Sequence, residues 1–353
     1  MSPFTRLRLL SFLCLTTPLV CQSADEKAAE NNLKIAAKKG STVWLLLEEK
    51  QEQTMDMGGQ QMEMGNTTTR TLQLEVKDVD DKGNLVVEVK IARIHGSMTM
   101  PMMGDIEFDS TKKTEGEEED AGGMGGFSPG AMTKAMTALA GKSFVAKVDA
   151  FGKVASLEGV AELLKDANQG PGMRRGGGSE SQFKQYVESA FGPLPQKPIA
   201  QGATWDRVDD EDAMGVTMQT KLQLTLAKID ADGFEITATG TVGLSPVQKP
   251  EEKAAGEADE REAAMREMMK NMKVKNGKIS GTQRVSRQDG FVIESSNTTT
   301  MDVDMPGPMG GEMSMSVKTT LKCKRTTAEA AMPKPAPKAD KEAPKEAPKE
   351  AGK

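Results

Sequence analysis

Histidine occurs once in the 353 residues, at His95. A single imidazole excludes metal sites built from several His ligands and relays between histidines. It also argues against a Ser–His–Asp hydrolase, for which the Gly-x-Ser-x-Gly nucleophile turn is absent as well. Cysteine occurs three times, at Cys14, Cys21 and Cys323. The first two lie in or beside an N-terminal apolar run. Cys323 is then left alone and no intramolecular disulfide framework can form. Aromatic residues make up only 4% of the chain. The hydrophobic fraction, 37%, falls below the globular average of about 45–50%, which counts Gly. The chain is therefore expected to combine a folded part with solvated segments, and to build its core from Val, Leu, Ile and Met.

No apolar run reaches the ~18 residues that a membrane-crossing helix requires, so no transmembrane helix is expected. The longest run, Leu9 to Val20, follows Arg6 and Arg8 and precedes small residues at 21–24. This is the pattern of a secretory signal over residues 1–24, removed before the protein works in the periplasm or outside the cell. Lipid anchoring at Cys21 is the less favoured alternative, because Val20 stands where lipidation requires a small residue. The net charge is −6, and loss of Arg6 and Arg8 makes the remainder more acidic. Nucleic acid is a poor partner for such a chain.

Beyond residue 24 the organisation reads as follows. Residues 25–32 are a flexible lead. Residues 33–190 are a first β-rich half, interrupted by an acidic, Gly-rich loop at 114–127. Residues 191–327 are a second half that includes an amphipathic helix at 251–273. Residues 328–353, rich in Pro, Lys, Glu and Ala, are expected to be solvated coil. Gly-rich composition marks another link at 168–180. The dominant pattern is alternation. Leu72, Leu74 and Val76 alternate with polar residues, Asp80-Asp81-Lys82-Gly83 reverses the chain, and Val87, Val89 and Ile91 follow. Two further hairpins turn at Asp232-Gly233 and Asp289-Gly290. Gly40-Ser41-Thr42-Val43-Trp44 and Gly202-Ala203-Thr204-Trp205 open two related meanders. Each leads to Leu-Gln-Leu, at 72–74 and 222–224. Helices are expected after Ser128-Pro129, over 159–168 and over 181–191. The fold class is thus mainly β: two antiparallel meander halves forming curved, half-barrel-like sheets with two to four covering helices.

Methionine is the anomaly, at 25 residues. Met-x-Met occurs at Met55/Met57, Met62/Met64, Met98/Met100 and Met313/Met315. On a strand, i and i+2 share a face, so each pair presents two thioethers together. Soft thioethers suit Cu(I), and His95 lies three residues before Met98. Those eight methionines and His95 are the candidate metal ligands. The stronger reading is that methionine serves as flexible apolar filler or as an adaptable apolar surface. Gly58-Gly59 and Gly310-Gly311 place these strand ends at hairpin tips. Gly141-Lys142-Ser143 lacks the upstream glycine of a phosphate loop. The acidic run at 117–120 lacks the spaced ligands of a calcium loop. No catalytic residue and no cofactor is expected.

Several segments together carry a resemblance. These are Leu33-Lys34-Ile35 before Lys39-Gly40, Glu107-Phe108-Asp109-Ser110, Gly141-Lys142-Ser143-Phe144 with Phe151-Gly152-Lys153-Val154, and Phe191-Gly192-Pro193-Leu194-Pro195 through Pro198 to Trp205. Over residues 33–325 the chain resembles a secreted β-rich family of unknown function abundant in planctomycetes and related bacteria. That family usually carries an acidic residue where Ala203 stands. The resemblance implies export and a β-rich fold, and no activity. The function expected is therefore a non-catalytic binding or carrier module for an apolar small molecule or lipid. The alternatives are a structural or interaction protein with envelope partners, and a Met-rich copper binder.

Overall fold

The computed structural model describes residues 30–57, 59–101, 104–112, 129–167, 179–213, 216–246, 272–306 and 312–332. The leader at 1–24, the acidic loop at 114–127, most of the Gly-rich link and most of the helix expected over 251–273 lie outside these residues. The strands are β1 (Thr42–Met57), β2 (Gln60–Val79), β3 (Leu85–Met100), β4 (Gly104–Asp109), β5 (Ser143–Val148), β6 (Val154–Glu158) and β7 (Thr204–Ala213). They continue with β8 (Val216–Ile229), β9 (Gly233–Pro246), β10 (Lys273–Val274), β11 (Lys278–Ser286), β12 (Val292–Pro306) and β13 (Glu312–Thr326). The helices are α1 (Pro129–Thr137), α2 (Val160–Ala167), α3 (Glu180–Glu188) and α4 (Ala328–Ala331).

The strands form one antiparallel sheet in the order β6-β5-β3-β2-β1-β13-β12-β11-β9-β8-β7, with β4 on β3 and β10 on β12. The sheet is curved and unclosed. The two meanders are therefore continuous: β13, the last strand of the second, pairs along fourteen positions with β1, the first strand of the first, from Trp44↔Thr326 to Met57↔Met313. The three hairpins turn where Asp and Gly stand. At Asp289-Gly290 the glycine has φ +79°, and a Cβ there would lie 2.7 Å from Ile35 Cα. The turn needs glycine both for the left-handed backbone and for the close passage of the N-terminal segment. The Leu-Gln-Leu correspondence holds in chain order but not in register. Trp44 faces Gln73, whereas Trp205 faces Leu224.

The core occupies one end of the long strands, called here the base. The inner face carries Val43, Leu45 and Leu47 on β1, Leu72, Leu74 and Val76 on β2, and Val87, Val89 and Ile91 on β3, each no more than 3% exposed. α3 covers this face with Phe183, Tyr186 and Val187, and the Phe183 ring meets Phe144 edge-on at 5.2 Å. Ser179 caps α3 by accepting the Gln182 N–H. The segment before β1 crosses the base. Asn31 exchanges backbone hydrogen bonds with Ile199, Ile35 N donates to Ala150 O at 3.1 Å, and Leu33, Ile35 and Ala37 are buried.

Three boundaries differ from those the sequence suggests. Residues 30–32 are tied to the fold by the Asn31–Ile199 bridge instead of being a free lead. Lys273, placed at the end of an amphipathic helix, begins β10, because it and Val274 pair with Asp304 and Val303 of β12. Residues 328–331, placed in a solvated tail, form α4. Thr327 caps this helix through the Ala330 N–H, and Ala331, 3% exposed, accepts the hydroxyl of buried Thr71 at 3.3 Å. Composition reports the average of a segment, and here its first turn finds a dock on the outer face of β1 and β2.

Candidate functional site

The long strands run well past the core. β1 has 16 residues and β2 has 20, or roughly 50 and 65 Å at about 3.3 Å per residue. Paired residues of an antiparallel ladder share a face, so the register fixes what the inner face carries beyond the base. Immediately above the core lies a polar belt. Glu49 accepts from Arg70 at 2.8 Å, with side chains 24% and 12% exposed. The Arg70 guanidinium sits 4.7 Å from the centre of the Tyr186 ring. Burial pushes the Tyr186 hydroxyl pKa up, against the pull of Arg70, so it stays protonated. Across the sheet, Arg207 pairs with Glu188 of α3 at 2.7 Å and with Asp209 at 2.6 Å. Gln283 donates to Phe191 O at 2.9 Å. The next row is uncharged and polar: Gln51 faces Asn66 and Thr319, and Thr319 faces Thr299.

Above the belt the inner face turns to thioethers. Gln53 faces Met64 and Val317, and Val317 faces Met301. In the next row Met55 faces Met62 on one side and Met315 on the other, Met315 faces Val303, and Val303 faces Val274. In the row beyond, Met57 faces Met313 and Met313 faces Met305. Met98 on β3 faces Asn66 and Ile106, and Met100 follows two residues later on the same side. Val303, Met305 and Val317 are at most 8% exposed, while Met55, Met62, Met64, Met98, Met313 and Met315 are half-buried. Between β1 and β2, Gly59 has φ +95° and donates its N–H to Asp56 Oδ1 at 2.8 Å. The outer face at the same height is polar, with Asp56, Glu63, Asp302, Ser314 and Ser316 alternating with the methionines. This crown is thus an amphipathic sheet end whose apolar side continues the side that covers the core.

The eight Met-x-Met residues therefore share one face of β1, β2, β3 and β13. His95 does not join them. It faces Thr69 and Asp109 on the outer side, because residues three apart on a strand point to opposite faces. Burial holds the His95 pKa down, Arg93 adds to this, and Asp109 opposes it. The imidazole is neutral at neutral pH. Met301, Val303, Met305 and Val317 complete the crown without having been singled out. Their signal was present in the alternation Met301-Asp302-Val303-Asp304-Met305. The belt left no local signal, since Glu49 and Arg70 are paired only by the β1–β2 register.

Two surface concavities lie away from the crown. One, about 470 Å³, sits on the outer face around Glu235, Arg284, Glu294 and Lys324. The other, about 410 Å³, lies at the base beside Asp232, Arg287 and Arg325. Both are lined mainly by polar residues, and a guanidinium of each is engaged: Arg284 with Asp230 at 3.0 Å and Arg325 with Asp289 at 2.5 Å. Among the described residues no group of three His, Cys, Asp or Glu could hold a metal ion. No described helix is long and apolar enough to cross a membrane. Cys323 is 2% exposed, and burial pushes its thiol pKa up to about 12, so it stays an unreactive thiol.

The family comparison matches residues 82–322 to a family of unknown function, DUF6263. No curated protein matches the sequence. Similar solved structures include lipovitellin, described for its lipid–protein interactions, at 8% identity and TM-score 0.43. That alignment covers 82% of this chain and 25% of the other, so the chain spans a quarter of the length of that protein. The COG4313 outer membrane channel of Pseudomonas putida F1 has 7% identity and TM-score 0.22, covering 84% and 100% of the two chains. A DUF1329 family protein of Desulfovibrio piger ATCC 29098 has 8% identity and TM-score 0.12, covering 79% and 84%.

Proposed function

The chain belongs to the DUF6263 family of unknown function, and from that premise we propose that it is an exported, non-catalytic carrier that holds an apolar ligand on its methionine crown. The observation that carries the reading is the continuous inner row Met62–Met55–Met315–Val303, flanked by Met64–Gln53–Val317–Met301 and Met57–Met313–Met305. Flexible thioether side chains, half-buried on an open sheet end, repack around greasy surfaces of varied shape. The polar belt beneath them separates the crown from the core, so an acyl or similar chain can come and go without disturbing the packing below. Export is supported by the leader with Arg6, Arg8 and the run from Leu9 to Val20. A non-catalytic role is supported by the inner-face charges, which are engaged with one another at Glu49–Arg70 and Arg207–Glu188–Asp209.

Native mass spectrometry of the protein purified gently from its host is expected to show a co-purifying lipid-sized adduct. The variant Met62→Glu with Met315→Glu is expected to lose it while keeping the β-type circular dichroism of the parent. An adduct retained by the charged variant, or a wild-type chain that neither carries an adduct nor enhances an environment-sensitive apolar dye, would refute the reading.

A further inference from the structure

We infer that the crown is also a Cu(I) site, formed by the thioethers of Met55, Met62, Met313 and Met315. The inference does not rest on the carrier reading, and it starts from a change of residue type along single strands. On the inner face at the base, β1 and β2 carry Val43, Leu45, Leu47, Leu72, Leu74 and Val76. On the same face above the belt, the same two strands carry Met55, Met57, Met62 and Met64. Strand propensity favours β-branched and aromatic residues at both heights, and burial alone is served by Leu or Val, as the base demonstrates. What methionine adds is a flexible side chain and, with it, a sulfur donor.

The register gathers that sulfur. Met55 is directly opposite both Met62 and Met315, and Met313 lies two residues from Met315 on the same side. Directly opposed Cβ atoms are about 4.5–5.5 Å apart, and residues i and i+2 about 7 Å apart. Each Sδ lies two bonds beyond its Cβ on a freely turning side chain, so neighbouring thioethers can converge on one ion above the sheet. Cu(I) is a soft, closed-shell ion that accepts two, three or four such neutral donors without a demand for one geometry. Zn²⁺ and other harder ions prefer Cys, His or carboxylate sets, and among the described residues no such set of three is present. Thioethers carry no proton to lose, so occupancy does not require deprotonation of the site.

The test is titration of the full chain with Cu(I) under ascorbate, in competition with a chromogenic Cu(I) chelator and with Zn²⁺ as control. The wild-type chain is expected to take one Cu(I) from the chelator and no Zn²⁺, with X-ray absorption showing sulfur neighbours. Met55→Leu with Met315→Leu keeps the apolar area and removes two donors. It is expected to weaken Cu(I) at least about 10-fold, since even outer-shell changes at metal sites cost that much. His95→Gln, on the outer face, is expected to leave Cu(I) affinity unchanged. A wild-type chain that leaves all Cu(I) with the chelator, a Leu variant that binds it as tightly, or a His95 variant that loses it would each overturn the assignment. Apolar-dye binding is measured separately on the wild-type chain: copper uptake by a chain that binds no dye leaves this site standing and removes the carrier reading, and dye binding by a chain that leaves all Cu(I) with the chelator does the reverse.

Discussion

Single side chains decide where this fold is sensitive to pH. Asp109, on the outer face, accepts from Arg93 Nη2 at 2.6 Å and Nε at 3.2 Å and from the Thr111 N–H at 3.0 Å. Hydrogen bonding from Arg93 is the largest cause that holds its pKa far below the usual carboxylate range. A carboxylate depressed on folding stabilises the native state above its unfolded pKa of about 3.9, and that stability is lost as pH falls through the folded value. Arg93→Met is therefore expected to lower stability at neutral pH by on the order of 2 kcal/mol, the worth of charge-assisted hydrogen bonds. The gap between variant and parent is expected to narrow once pH drops below the unfolded pKa. Urea midpoints at neutral and strongly acidic pH check this. A gap that widens in acid would show that Arg93 acts through packing and not through Asp109.

At the scale of elements, the hairpins hold the N-terminal segment in place. The turn at Asp289-Gly290 ties three parts together. Asp289 O accepts from the Ala36 N–H at 3.3 Å, its carboxylate accepts from Arg325 of β13, and Gly290 lets Ile35 pass. Gly290→Ala puts a Cβ against Ile35 Cα in a left-handed backbone. It is expected to cost more than about 1 kcal/mol, the level at which Ala at positive φ begins to destabilise. Thermal denaturation of the full chain measures this. Gly59 also has positive φ, but a Cβ there meets nothing within 4 Å. Gly59→Ala is expected to show the backbone cost alone, and hence the smaller shift of the two. Equal shifts would mean that the Ile35 contact does not matter.

The whole molecule has two storeys on one sheet. Phe183 is fully buried at the base, and Phe183→Ala is expected to lose about 3–5 kcal/mol of stability, the usual cost of a large core deletion. Met62 of the crown is half-buried, so Met62→Ala is expected to cost well under that while weakening apolar-dye binding. Local opening follows packing density. Amide exchange along β1 is therefore expected to be slow from Val43 to Leu47 and faster from Gln53 to Met57. Uniform protection along the strand would mean that the storeys open as one unit and that the belt does not separate them.

Alternation of oily and polar residues, with Asp and Gly at the corners, was enough to place the three hairpins and the mainly β class, while the cap at Ser128-Pro129 and helical spacing over 159–168 and 181–191 marked helices observed at Pro129–Thr137, Val160–Ala167 and Glu180–Glu188. These are local properties, set by the two-residue period of a strand and by the backbone freedom of glycine. The pairing of Met-x-Met on one side of a strand was legible for the same reason. What no local rule contains is which strands become neighbours. Only the β1–β13 ladder joins residue 55 to residue 315, makes a single sheet of two meanders, and turns four scattered pairs into one crown. The parity that sends His95 to the opposite face from Met98 is local, but register alone set Glu49 beside Arg70, because strand pairing, not closeness in the chain, determines which side chains meet.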